Sequence, residues 1–115
     1  MFDSCPPTPP RVRKGPGERL RTALAELCEG HGTIITHREK SWASITFAGA
    51  RHHIEFAFDG AEAVAAGERL IAALPDHEFA IPGQLVAEAT VVAVDHRLDP
   101  PHMLVTCEIL LLEDA

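Results

Sequence analysis

The chain has 115 residues, 46% of them hydrophobic and 23% charged, a composition that fits an ordinary globular domain and excludes a disordered or fibrous protein. Its net charge of −7 is uneven: Asp3 against Arg11, Arg13 and Lys14 gives residues 1–16 a charge of +2 and leaves −9 on the rest. An acidic body repels phosphate backbones, which excludes nucleic acid as the main partner, and no apolar run approaches the roughly 20 residues needed to span a membrane.

Five of the nine prolines fall within residues 5–17, where no apolar periodicity is visible. Residues 1–16 therefore read as a disordered, Pro-rich basic arm ahead of a single α+β domain over residues 17–115. The arm lacks the apolar stretch of a secretory signal. The cysteines, Cys5, Cys28 and Cys107, are odd in number and form no C-x-x-C pair, so neither a disulfide framework nor a cysteine zinc site is expected. These features point to a cytoplasmic protein, of bacterial type.

From residue 18 to 29, Leu20, Ala23, Leu24, Leu27 and Cys28 recur at helical spacing, and Gly30 stands where a left-handed residue ends a helix. Residues 33–38 are short and β-branched, the pattern of a strand. Residues 41–59 read as a β-hairpin with Gly49-Ala50 as a type II′ turn, which sets Phe47 against His52, Ile45 against Ile54 and Ala43 against Phe56. That register gathers Ala43, Ile45, Phe47, Ile54, Phe56 and Phe58 on a core side. Ile35 and His37 join that side, while Ile34, Thr36 and Arg38 join the other.

Asp59 opens a D-x-x-E capping sequence ahead of a second helix reaching about residue 74, where Pro75 stops it. Gly67 inside this helix marks a close approach. A loop over residues 75–84 leads to a second hairpin of residues 85–96 and 102–112, whose symmetric register pairs Val94 with Leu104 and Thr90 with Glu108. Ala87, Ala89, Val91, Ala93, Val105, Cys107, Ile109 and Leu111 form its apolar face. The expected fold is a two-layer α+β sandwich: an antiparallel sheet of about five strands, in the order αβββαββ, with two helices on one face, related to ferredoxin-like architectures.

The uncovered sheet face is the strongest functional lead. It collects Trp42, Ser44, Thr46, His53, Glu55, Thr90 and Glu108 beside Leu110 and Leu112, and a bare face of this kind is expected to be covered. The simplest cover is a second copy, giving a homodimer through this face or an edge; a small-molecule ligand is the other occupant. His53 and Glu55, two residues apart on that face, are candidates for a base and its supporting carboxylate. His96 and His102, facing each other at the hairpin end, are a weak metal candidate, whereas His52 and His53 point to opposite faces and cannot chelate together.

No phosphate loop, nucleophile elbow or zinc-protease motif occurs, and no cofactor is implied. The sequence leaves enzymatic activity undecided. Its first reading is a non-catalytic oligomeric or binding module, and the alternative is a small cofactor-free enzyme of isomerase, cyclase or oxygenase type using His53 and Glu55.

Overall fold

The computed structural model describes residues 15–113, so the arm expected over residues 1–16 lies outside the described residues except for Gly15 and Pro16, and Cys5 lies outside them too. Pro16 opens the first helix, α1 (Pro16–Leu27), at a position where its missing N–H costs nothing. Leu20, Leu24 and Cys28 lie fully buried along one stripe. The helix ends with Glu29 and Gly30 at positive φ, 57° and 76°, and Gly30 N–H donating to Ala25 C=O at 2.8 Å. This is a Schellman closure in which Glu29 takes the left-handed position expected of Gly30.

The described residues form four strands, not five. The two segments expected as separate strands at 33–38 and 41–48 are one strand, β1 (Thr33–Ala43), which pairs antiparallel with β2 (Ala48–Asp59). The turn spans residues 44–47. Ser44 closes it twice, its N–H donating to Phe47 C=O at 2.7 Å and its Oγ accepting from Phe47 N–H at 3.1 Å. Gly49 is inside β2, where a Cβ would lie 2.0 Å from the Leu111 carbonyl oxygen, so the glycine serves close backbone approach and not a turn.

This moves the hairpin register by eight residues. Ala43 pairs with Ala48 and not with Phe56, and His53 faces Arg38 and not Thr46. Because side chains alternate, an even shift leaves each strand's faces where the sequence put them. What changes is which residues are strand at all: Ile45 and Phe47, expected in the core, sit in the turn at 103% and 47% exposure. An irregularity between Ile34 and Thr36 also exchanges two neighbours, turning Ile34 to the core and leaving Ile35 exposed.

The second helix, α2 (Ala61–Ala73), is capped by Gly60 at φ 93° and not by Asp59, whose carboxylate is taken by His102. A single 3-10 turn at Leu74–Asp76 follows, and Pro75 stops the helix as expected. A Cβ on Gly67 would lie 2.4 Å from Met103 Cε and 2.9 Å from Phe58 Cδ2, so this glycine lets α2 press onto the sheet. The last hairpin, β3 (Gln84–Leu98) and β4 (Pro101–Glu113), closes through Asp99 and Pro100 alone.

The sheet order is β1-β2-β4-β3, antiparallel throughout. β2, α2 and β3 make a split βαβ unit around β4, the unit used in ferredoxin-like proteins, here in a chain that begins with a helix. Both helices bury one side of the sheet. Ile54, Phe56, Phe58, Met103, Val105, Cys107, Ile109 and Leu111 are 0–1% exposed beneath them. Cys28 and Cys107 are small core residues, and burial pushes the Cys107 thiol up to about 12. No helix among the described residues is long and apolar enough to cross a membrane.

The turn position sets two substitutions apart. Ile54→Ala is expected to cost about 2–5 kcal/mol in urea denaturation, whereas Ile45→Ala should change stability by no more than about 0.5 kcal/mol.

Candidate functional site

Cross-strand partners share a face, so the register arranges the uncovered side in rows. One row runs Arg38, His53, Glu108, Thr90; the next runs Lys40, Arg51, Leu110, Glu88; a third runs Trp42, Gly49, Leu112, Leu85. His53 Nδ1 lies 3.2 Å from a Glu108 carboxylate oxygen. A carboxylate only accepts, so the proton sits on Nδ1 and the lone pair of a neutral ring is on Nε2. Both side chains are about one-third exposed.

In the next row Arg51 donates to Glu88 at 3.0 Å across Leu110, which is left 7% exposed. Leu112, in the row of Trp42, Gly49 and Leu85, is covered to the same extent, so the leucines expected to be bare on this face are not. A groove of about 320 Å³ runs between the rows, lined by Arg38, Glu39, Lys40, Arg51, His53 and Glu108. Its lining mixes three cations with the carboxylates of Glu39 and Glu108, and one of the cations, Arg51, is already paired with Glu88.

Of the residues singled out from the sequence, His53, Glu108 and Thr90 share a row. Glu55 is on the same face one row away, between Thr36 and Thr106, and Glu108, not Glu55, is the hydrogen-bond partner of His53. Trp42 is on the same face two rows from His53 and does not line the groove. Ser44 and Thr46 do not belong to the face: both are in the turn, where Ser44 is engaged with Phe47. His96 and His102 do not meet. The tight turn pairs Leu98 with Pro101, which sets His96 against Met103 and His102 against Arg97, on opposite faces.

A second polar cluster lies on the covered side, under the first turn of α1. His52 is 1% exposed, and His37 Nε2 is 2.8 Å from its Nδ1. The Arg21 guanidinium donates to His37 Nδ1, and a Glu39 carboxylate oxygen is 3.8 Å from His52 Nδ1. Burial holds both imidazoles below their ordinary value; His52 and Arg21 add to this for His37, and Glu39 opposes it for both. A Cβ on Gly17 would lie 3.3 Å from His37 Cε1 and 3.4 Å from Glu39 Oε1, so α1 crosses the cluster closely here and a side chain would push these neighbours by a few tenths of an ångström. Sequence reasoning put His37 on the core side but overlooked its partner. The available signal was His52 itself, an imidazole in step with Ile54, Phe56 and Phe58 that needs a buried hydrogen-bond partner.

No family model and no curated protein matches the chain in sequence. Among solved structures it resembles a chain from the virion of a native gene transfer agent particle, with a TM-score of 0.54 and 16% identity, over 84% of this chain and 90% of that chain. The likeness is one of fold.

Arg21 carries no acceptor, so its bond to His37 Nδ1 fixes the His37 proton on Nε2. Long-range ¹H–¹⁵N spectra at pH 7.5 should show the Nε2–H tautomer of His37, and Arg21→Ala should give a mixture of tautomers. An Nδ1–H ring in the unmodified protein would refute this assignment.

Proposed function

We propose that this protein is a cytoplasmic, non-catalytic assembly module that associates with further copies of itself. The observation that carries this reading is the pair of apolar side chains at the tip of the β1–β2 turn, Ile45 fully exposed and Phe47 47% exposed. Turn tips are ordinarily polar, and two large apolar residues held in water there gain free energy by being covered. Leu85, Val92, Val94 and Leu98 add exposed apolar surface along the edge strand β3, at 47–78% exposure. A patch at one end of the sheet that fits a different patch on the next copy makes a head-to-tail contact, the kind that builds rings. The fold's likeness to a chain of a virion particle, itself an assembly of subunits, supports the same reading.

A second reading rests on the groove. Arg38, Lys40 and Arg51 would hold a small anionic molecule against His53, with Glu108 orienting the ring as a base for cofactor-free proton transfer. It needs no assembly, and the groove is present in a single chain.

Sedimentation velocity decides between a self-associating and a monomeric protein. The full chain should sediment as a species larger than its 12.5 kDa monomer. The double variant Ile45→Ser, Phe47→Ser should shift it toward the monomer without lowering the thermal midpoint. A monomer at all concentrations up to the millimolar range would overturn the assembly reading.

A further inference from the structure

The geometry points to a divalent transition-metal site formed by His37, His52 and Glu39 on the helix-covered side of the sheet. One donor atom from each lies within 4.8 Å of the others. The His37 Nε2 and His52 Nδ1 atoms are 2.8 Å apart, and His52 Nδ1 is 3.8 Å from Glu39 Oε1. Ligands bound to zinc at about 2.1 Å in tetrahedral geometry stand about 3.4 Å apart. Parting the two rings slightly and drawing Glu39 inward, by a few tenths of an ångström toward His52 and by as much as the 4.8 Å limit requires toward His37, brings all three into coordinating range, a movement that the exposed Glu39 side chain is free to make.

The proton count favours a cation as well. With Arg21 donating to His37 Nδ1, a single proton, on His37 Nε2, sits among three inward-facing donor atoms. His52 Nδ1 and Glu39 Oε1 thus present lone pairs to the same point. Two imidazoles with one carboxylate suit zinc, nickel or ferrous iron over magnesium or calcium. His52 and Glu39 also border a cavity of about 350 Å³ with Pro16, Trp42 and Gln84, so a fourth coordination position opens onto space for water or a small ligand.

Arg21 is the competitor. When metal takes His37 Nε2, the proton there moves to Nδ1, no proton is lost overall, and the guanidinium must withdraw from Nδ1. Its partial exposure lets it turn to solvent. The site is therefore closed by a side chain that the metal displaces, and removing that side chain should tighten binding.

The test is calorimetric titration of the full chain with zinc chloride, supported by the visible absorption of bound cobalt. One saturable site is expected. Glu39→Gln and His37→Gln should each weaken it by at least about tenfold, the lower range lost even when outer-sphere partners are removed. Arg21→Ala should bind more tightly than the unmodified chain. Glu39 is exposed, so its variant keeps the fold and decides the matter if a histidine variant does not. Binding that survives Glu39→Gln and His37→Gln, or that is abolished by Cys5→Ser or His102→Gln, would place the ion elsewhere and overturn the proposal, as would the absence of saturable binding. None of these results depends on the oligomeric state.

Discussion

The alternation of side chains along β2 is the constraint from which the rest follows. β2 is paired on both sides, to β1 and to β4, so its faces are fixed by two ladders at once. Helices cover one of those faces and leave the other in water. His52, Ile54, Phe56 and Phe58 go under the helices; Arg51, His53 and Glu55 do not. Two adjacent histidines thereby enter unrelated environments, which is the origin of the His53–Glu108 row and of the His37–His52 cluster.

The two environments give the same side chain two chemistries. His53, beside a carboxylate and partly wet, has its Nδ1 proton fixed by Glu108. His52, sealed by α1, has its Nδ1 turned toward His37 and Glu39. In the first case an anionic partner orients the ring; in the second, burial and a neighbouring guanidinium hold two rings below their ordinary value. The apolar turn tip at Ile45 and Phe47 belongs to neither site. It sits at the end of the β1–β2 hairpin.

Most of the architecture was legible because it depends on period and not on pairing. The helical stripe of Leu20, Leu24 and Cys28, the alternation of Ile54, Phe56 and Phe58, and the close approach at Gly67 are all visible without knowing which strand meets which. Register was legible only in part. Gly49 reads as a turn residue because glycine serves tight turns and close approaches alike, and the sequence offers no way to tell that Leu111 lies against it. The resulting shift happened to be even, so His53, Glu55 and Trp42 kept their side of the sheet while Ser44 and Thr46 lost theirs. In the last hairpin Thr90 does pair with Glu108, but register shifts between Val86 and Glu88 and between Val91 and Ala93 displace the pairs beyond them, which is why His96 and His102 part. The His37–His52 contact was hidden for the same reason: it exists only in the observed pairing of β1 with β2.

That pairing is directly observable. Cross-strand nuclear Overhauser contacts linking Arg38 with His53, Lys40 with Arg51 and Trp42 with Gly49 are the result this account predicts. Contacts linking Thr46 with His53 and Ser44 with Glu55, as a turn at Gly49-Ala50 requires, would contradict it, and the grouping of Arg38 with His53 and of His37 with His52 would fall together.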